Sequence, residues 1–162
     1  MTGSGPAVVN PSVMQERPDS EVVDTRFGKV TIYRTNPIIL PNGMLGQPDK
    51  NQFCLSNFPS EKMARFKLLQ SLDDLSLSFI TLPVEANNPI VERADIEQAA
   101  RDLNIAVEQL VTLFVVSVHR EAGAVKLSVN ARAPIMLDSV RRMATQHVFH
   151  NAKYQIRQPL FF

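Results

Sequence analysis

Histidines, one cysteine and a pair of aspartates are the side chains in this sequence whose spacing could support chemistry. His147 and His150 are three residues apart, a separation that lets two histidines share a metal ion on a helix. On a strand the same separation places them on opposite faces. The apolar Val148 and Phe149 between them favour a strand. We therefore expect no metal site at this pair.

The cysteine and the aspartates give no stronger catalytic signal. Cys54 is the only cysteine, which excludes an intramolecular disulfide and a cysteine-rich zinc site. We expect it to be a small buried residue, because it lies within an apolar stretch and no motif supplies a neighbouring base. Asp73 and Asp74 are adjacent, so in an extended turn their carboxylates point apart rather than towards one substrate. Glycine-rich phosphate loops and the G-x-S-x-G motif are absent from the sequence. These observations predict a protein that is not an enzyme and holds no cofactor.

Composition and charge suit a single β-rich domain. The chain has 162 residues, 44% of them hydrophobic, and a formal net charge of +1, which argues against bulk electrostatic binding to nucleic acid or to a membrane. The charge is uneven, because residues 119–158 hold seven basic and two acidic residues: Arg120, Lys126, Arg132, Arg141, Arg142, Lys153 and Arg157 against Glu121 and Asp138. This basic C-terminal part could meet an acidic protein surface or RNA.

The first 24 residues differ from the rest of the chain. They contain three prolines and no aromatic residue, and they show no sustained hydrophobic period, so we expect a disordered tail over residues 1–24 and one domain over residues 25–162. No basic stretch followed by an apolar run marks a signal peptide, and no apolar segment has the length of a transmembrane helix. We therefore expect a cytoplasmic protein.

Hydrophobic alternation after residue 24 predicts about nine or ten short, mainly antiparallel strands. The expected strands cover residues 30–33, 37–40, 53–58, 66–72, 75–83, 110–118, 125–132, 135–137, 146–150 and 154–156. The hairpin around residues 121–124 should form the core of the fold, with Val115, Leu127 and Val129 buried. An all-β barrel-like or sandwich domain is the expected fold class.

One segment has a helical period instead. Residues 95–104 are predicted to form the single short helix of the fold, with Asp95 as the N-cap and Asn104 as the C-terminal stop. Its narrow apolar stripe should lie over an open end or edge of the sheet, and consists of Ile96, Ala99, Ala100 and Leu103.

The sequence Leu-Gln-Ser-Leu-Asp-Asp at residues 69–74 predicts the end of a strand followed by a tight acidic turn. Gln70 and Ser71 place polar groups where an apolar strand should finish, and the two aspartates can bond nearby backbone N–H groups. This turn is one of a series of motifs. The others are Thr-Arg-Phe-Gly at 25–28, Leu-Pro-Asn-Gly-Met-Leu-Gly at 40–46, Asn-Ala-Arg-Ala-Pro-Ile at 130–135 and Tyr-Gln-Ile-Arg-Gln-Pro-Leu at 154–160.

This series, in this order, resembles the FliW family of flagellar assembly factors over about residues 25–160. The resemblance is most specific at residues 69–74 and 130–134. Three positions depart from the usual family pattern. The loop at residues 44–49 lacks the usual aromatic residue, Ala131 replaces a leucine, and residues 146–149 read Gln-His-Val-Phe in place of a sequence like Gln-Val-Val-Leu.

The resemblance implies a binding protein that works as a partner switch. Family members bind the RNA-binding translational repressor CsrA, by a mechanism described as allosteric, and they also bind flagellin. On this basis we expect both proteins as partners of a monomer, without direct nucleic-acid binding or membrane contact. The expected partner-binding residues are Gln70, Ser71, Asp73, Asp74, Asn130 and Arg132, with Asn42, Gly43 and Gly46 in a flanking loop. The alternative for each residue is structural (turn formation, capping or solvation). The alternative for the whole protein is an RNA-binding β domain that uses the basic C-terminal part.

Overall fold

The computed structural model describes residues 19–150 and 152–161. Within these ranges the chain forms eleven β-strands, one α-helix and two 3₁₀ helices, Glu61–Met63 and Val107–Gln109. The α-helix, α1, is Arg93–Asp102. The strands are β1 Ser20–Thr25, β2 Gly28–Tyr33, β3 Ile38–Ile39, β4 Gln52–Asn57, β5 Lys67–Ser71, β6 Ser78–Val84, β7 Leu110–Glu121, β8 Ala124–Val129, β9 Ile135–Asp138, β10 Met143–Gln146 and β11 Gln158–Leu160. The predicted all-β fold with one short helix is confirmed.

Seven strands close into a barrel. Their order around it is β7-β6-β5-β4-β3-β10-β9, and the ring closes because β9 pairs with the first half of β7. All of these pairings are antiparallel except that of β3 with β10. Closure leaves these strands few free edges, which is one way in which β proteins avoid unwanted strand pairing.

Alternate residues of the barrel strands fill its interior. The largest of these buried side chains include Phe53, Leu69, Leu113 and Ile135, which form one apolar cluster with Ile38, Leu40, Met44, Leu137 and Ala144. Because side chains alternate across a strand, the neighbours Phe114 and Met136 point outwards and need separate cover.

Helix α1 provides part of that cover. Its buried residues Ile96 and Ala99 pack in one apolar cluster with Phe114 and Met136 on the outside of the barrel, and Ala100 is buried as well, so the predicted apolar stripe faces inwards. The predicted stop is also present, because Asn104 has a left-handed φ of 60° and the N–H of Ile105 donates to the carbonyl of Ala100 at 2.8 Å. The helix starts earlier than predicted, with Glu92 at the N-cap, and Asp95 lies in its first turn.

Strand β1 corrects the predicted boundary of the tail. Residues 20–24 were expected to be disordered, but they pair in register with β2, from Ser20 opposite Tyr33 to Thr25 opposite Gly28. Val23 is buried with Ile32 and Cys54, so this hairpin covers the outside of β4. The signal is weak in the sequence because only one side chain of β1 is buried. The rest of the predicted tail, residues 1–18, lies outside the described residues.

Three further predictions are corrected by the structure. Residues 72–77 form a turn, so β6 begins only at Ser78, and the eleven strands exceed the predicted nine or ten. Residues 147–150 and 154–156 are irregular rather than extended strands, and β11 follows at Gln158–Leu160. The β7–β8 hairpin is core only at its base. Val129 is fully buried, Leu127 is half-buried and Val125 is 56% exposed.

Candidate functional site

The acidic turn at residues 72–77 is shaped by side chains at the end of β5. The buried Ser71 accepts hydrogen bonds at Oγ from the backbone N–H groups of Asp73 at 3.2 Å and Asp74 at 3.0 Å. Asp74 then accepts at Oδ1 from the N–H of Ser76 at 3.0 Å and from its hydroxyl at 2.6 Å. These bonds to Ser76 lower the pKa of Asp74, so its carboxylate is charged at neutral pH.

Gln70 holds the same turn from beneath. It is fully buried, and its Nε2 donates to the carbonyls of Ser71 at 3.0 Å and of Leu75 and Leu77 at 3.1 Å each. One amide group therefore lies within hydrogen-bond distance of three backbone carbonyls of the turn, and the carbonyl of Leu77 also accepts from the N–H of Ser71 at 3.0 Å. Gln70 and Ser71 were predicted to bind a partner, but neither has exposed surface. Their hydrogen bonds set the shape of the turn.

Asp73 connects the turn to the loop at residues 41–48. Its Oδ2 accepts from the N–H groups of Asn51 at 2.8 Å and Gln52 at 3.0 Å. The side-chain Nδ2 of Asn51 donates to the carbonyls of Leu40 at 2.9 Å, Pro41 at 3.2 Å and Pro48 at 3.3 Å. The loop is thus tied at both ends by one asparagine, which the sequence analysis did not single out.

Gly43 shows how tightly this loop is folded. Its φ of +64° lies in the left-handed region, and a Cβ added there would meet the carbonyl oxygen of Gln47 at 2.2 Å. Gly43 is buried, whereas Asn42 and Gly46 are exposed. Of these three predicted residues, Asn42 and Gly46 are therefore the ones a partner could touch.

Gln146 links this loop to the corner at residues 130–134. Its Oε1 accepts from the N–H of Leu45 at 2.8 Å, and its Nε2 donates to the carbonyl of Ala133 at 3.0 Å. The fold thereby connects three motifs that are far apart in sequence: the loop at 41–48, the turn at 72–77 and the corner at 130–134. The spacing of the motifs did not reveal this.

The corner at residues 130–134 carries the chain from β8 to β9. Asn130 accepts at Oδ1 from the N–H groups of Arg132 at 3.2 Å and Ala133 at 3.0 Å, which bends the chain sharply. The N–H of Ala131 donates to the carbonyl of Gln155 at 2.9 Å. Asn130 was predicted to bind a partner, and its side chain is half-buried and engaged in this bend.

Arg132 is also engaged within the molecule. Its Nε donates at 3.0 Å to the carbonyl of Tyr154, a buried residue whose hydroxyl donates to Asp95 Oδ2 and accepts from the N–H of Glu92 at 3.1 Å. Lys153 Nζ lies 3.0 Å from Asp95 Oδ2. The Tyr154 hydroxyl and Lys153 together lower the pKa of Asp95. Arg132 thus fastens the C-terminal segment, and through Tyr154 that segment is fastened to α1.

The surface of the linked motifs carries three carboxylates (Asp49, Asp73 and the half-buried Asp74) against Lys50, which pairs with Asp49 at 3.1 Å, together with two apolar side chains. Leu45 is 60% and Leu75 36% exposed, and the bond to Lys50 lowers the pKa of the exposed Asp49 carboxylate. We call this surface the acidic face and define it as Asn42, Leu45, Gly46, Asp49, Asp73, Asp74 and Leu75. Charged and apolar groups held on a fixed backbone are suited to binding a protein.

The residues considered for catalysis or metal binding lie elsewhere. Cys54 is buried and accepts from the N–H of Tyr33 at 3.3 Å. Burial lowers the pKa of His147. The His147 ring packs edge-to-face against Phe149, with 5.0 Å between the ring centroids, whereas His150 is exposed. Residues 147–150 are irregular rather than a strand, so the reason first given against a metal site does not hold. Across residues 19–150 and 152–161 no group of three or more His, Cys, Asp or Glu side chains could hold a metal ion.

A model of the family described as "FliW protein" matches residues 21–160 of this chain. The chain belongs to the FliW family. The match begins within β1 and ends with β11, so it covers nearly all the described elements. It includes every segment of the acidic face.

Named relatives agree with this assignment. The flagellar assembly factor FliW of Geotalea uraniireducens is 32% identical over 142 residues, which cover 87% of this chain and 84% of the relative. The flagellar assembly factor FliW of Geobacter sulfurreducens is 27% identical over 141 residues, covering 86% of each. A crystal structure of the flagellar assembly factor FliW superposes with a TM-score of 0.64 at 18% identity, covering 88% of this chain and 98% of that one. This structure supports the FliW fold.

Two properties bear on the remaining predictions. Within the described residues no helix is long and apolar enough to cross a membrane. In the basic C-terminal part Phe149 and Tyr154 are buried, so neither ring offers a stacking surface for a base. Phe161 is 86% exposed.

Proposed function

We propose that this FliW protein is a non-enzymatic, cytoplasmic flagellar assembly factor that binds CsrA and flagellin as alternative partners. In this proposal a monomer is held by flagellin until flagellin is secreted. The freed protein then captures CsrA and keeps it from its messenger RNA targets, so that flagellin translation resumes. Neither step requires the FliW chain to make or break a covalent bond.

The observation that carries the proposal is the construction of the acidic face. Three of the motifs that resemble the family are held together by Asn51 and Gln146, and they present Asp73 and Asp74 beside exposed apolar side chains. A surface whose backbone is already fixed loses little conformational entropy on binding. Complementary charge across such a surface favours a basic region of the partner.

The predicted residues then take two different roles. Asp73, Asp74, Asn42 and Gly46 contribute contacts at the acidic face. Gln70, Ser71, Gly43, Asn130 and Arg132 hold the segments that present it or the neighbouring C-terminal segment.

Asparagine substitutions test the charge without removing the turn. Asp73→Asn with Asp74→Asn keeps an oxygen acceptor at each position but removes two negative charges. We expect affinity for a partner bound at this face to fall about ten-fold, because charge pairs across an interface contribute a few kcal/mol. A matched control, Glu61→Gln with Glu85→Gln, removes two exposed negative charges elsewhere. Isothermal titration against purified flagellin and purified CsrA provides the measurement, with circular dichroism to check folding.

The outcomes separate the parts of the proposal. An equal loss in both double variants would show general charge attraction and no specific face. Unchanged affinity for both partners in the Asp73/Asp74 variant would place the contacts elsewhere. Failure of the wild type to bind either protein, combined with a shift of RNA in a gel assay, would replace the partner switch with direct RNA binding.

A further inference from the structure

The second half of β7 leaves one backbone edge without a strand. β6 pairs with β7 only from Thr112 to Val115, and beyond that point Val116–Glu121 pairs with β8 on one side. Within residues 19–150 and 152–161 no strand pairs along the other side of this segment. The β7–β8 arm, which we define as residues 116–129, therefore extends past the barrel with an open edge.

The turn of the arm determines which backbone groups face this edge. Ala122 and Gly123 both have left-handed φ values, 53° and 81°, and connect Glu121 directly to its cross-strand partner Ala124. In a two-residue hairpin of this type the closing pair exchanges hydrogen bonds, and the pattern then alternates along each strand. Val118 and Arg120 consequently direct their N–H and C=O groups away from β8 and towards the open edge.

The end of β6, the strand that would otherwise continue beside this edge, is capped by a side chain. If the β6–β7 register continued, Ser78 would lie opposite Val118. Instead Arg26, from the turn between β1 and β2, donates from Nη2 to the carbonyl of Ser78 at 3.1 Å. The chain thus caps the end of β6 with its own side chain. Val118 and Arg120 receive no corresponding bond from any described residue.

Side chains along the edge indicate what it would accept. Val118 is 50% exposed and continues the apolar surface of the buried Val116, while Arg120 supplies a positive charge next to it. Natural edge strands are usually protected by charged side chains, proline, a bulge or a short length. This six-residue segment has the charged Arg120 and Glu121 at its end but an unbroken register with β8 and no proline. The arm holds two basic residues, Arg120 and Lys126, against one acidic residue, Glu121.

We propose that this edge binds an extended, acidic segment of a protein partner, which adds to β7 as a further strand. The backbone of the segment would bond to Val118 and Arg120, an apolar side chain would cover Val118, and a carboxylate would pair with Arg120. A second copy of this chain is a poorer occupant, because it would bring two basic arms together. The inference goes beyond the partner switch, since it needs only a strand of this chemistry and uses a surface separate from the acidic face.

A peptide of alternating glutamate and valine, eight residues long with blocked ends, serves as the probe. Amide resonances of the full-length protein report the position of binding. We expect the N–H signals of Val118 and Arg120 to shift and their hydrogen exchange to slow as the peptide is added. A peptide of alternating lysine and valine is the charge control and should bind at least about five-fold more weakly.

Two proline variants on opposite edges of the arm sharpen the test. Arg120→Pro removes an N–H from the open edge without removing a bond to β8, and should reduce peptide binding about ten-fold or more. Its cross-strand partner gives the matched control, because Val125→Pro removes an N–H that points to the β11 side and should leave binding within about two-fold. Arg120→Gln keeps the N–H and removes only the charge, so it should lie between them.

Four results would overturn the inference. They are no shift at Val118 and Arg120 up to the solubility limit of the peptide, equal loss in the two proline variants, equal binding of the two peptides, and slowed exchange of these amides with rising protein concentration alone. The last result would assign the edge to a second copy. Because neither flagellin nor CsrA is used, these results are independent of those that test the partner switch.

Discussion

The acidic face and the β7–β8 arm satisfy their backbone groups in opposite ways. At the acidic face, side chains such as Gln70, Ser71 and Asn51 bond the carbonyl and N–H groups of the turns, so the backbone there is held by the chain itself, although the buried Oε1 of Gln70 has no partner among the described residues. On the arm, Val118 and Arg120 have outward backbone groups with no bond from any described residue. The first region presents side chains from a fixed backbone, and the second presents the backbone itself. The two regions are therefore suited to different kinds of partner.

The largest expected effect compares the base of the arm with its tip. Val129→Asp should destabilise the protein by about 4 kcal/mol, because it places an unpaired charge where the wild-type side chain is fully buried. Val125→Asp is the control. Val125 lies on the same face of the same strand but is 56% exposed, so the change should cost less than about 0.5 kcal/mol. Urea unfolding of both variants provides the measurement. Similar losses at the two positions would show that the tip packs as tightly as the base.

The second prediction concerns strand β1, which pairs with β2 and helps to cover the outside of the barrel. Deleting residues 1–24 should lower the unfolding free energy by about 2 kcal/mol, because it removes the buried Val23 from contact with Ile32 and Cys54. Deleting residues 1–18 should leave the melting temperature nearly unchanged, since it keeps β1 and the contacts of Val23 with Ile32 and Cys54. Thermal unfolding of the two truncated proteins separates the contribution of β1. Equal melting temperatures would contradict a stabilising role for this strand.

The third prediction tests whether the buried side chain of Gln70 holds the acidic turn in its shape. Gln70→Leu should destabilise by about 1.5 kcal/mol, because three carbonyls lose a buried donor that a leucine cannot replace. Gln52→Leu, on the neighbouring strand, changes an exposed glutamine and should be nearly neutral. Chemical denaturation compares the two. A neutral Gln70→Leu would mean that the turn keeps its shape without this side chain.

The smallest expected effect is a dependence of stability on pH. Burial lowers the pKa of His147 in the folded protein below its value in the unfolded chain, with Asp102 acting against this shift and His150 adding to it. The unfolded state therefore binds more protons as the pH falls below the ordinary histidine value of about 6.5, and the folded state loses stability. Above that pH this contribution is constant.

A histidine substitution isolates this contribution. His147→Gln should reduce the loss of stability between pH 7 and pH 5, by no more than about 0.5 kcal/mol. His150→Gln is the comparison variant and should have a smaller effect, because this exposed histidine adds only the smallest of the causes of the His147 pKa shift. Denaturation at the two pH values measures the difference. A larger change in His150→Gln than in His147→Gln would place the effect at the surface.

Residue types and hydrophobic periods predicted the helix and most of the strands well, because these elements depend on residues that are near neighbours in sequence. The stripe of Ile96, Ala99 and Ala100 identified the helix, and Asn104 identified its end through the left-handed conformation that asparagine tolerates. The order of the motifs also pointed to the FliW family, which the match over residues 21–160 shows.

The predicted site was less complete because its residues act through distant parts of the chain. The polar character of Gln70 suggested exposure, yet this side chain is buried beneath the turn that it supports. Asn51 lies in no motif, and Gln146 was noted only within the segment at residues 146–149. Neither was identified as a link, since their hydrogen-bond partners lie as much as 101 residues away. Each residue could bond locally in many ways, and only the packed barrel selects one.

The sequence by itself determined the β-rich class, the helix, most strand positions and the family, because these follow from local hydrophobic period, turn chemistry and motif order. Only the tertiary structure decided that β1 belongs to the fold, that the acidic turn is held by buried polar groups, and that β7 continues past β6 with an open edge. These features depend on which strands meet and where their pairing ends. Pairing joins residues distant in sequence, so its end is set by the geometry of the closed barrel and is not written in any single segment.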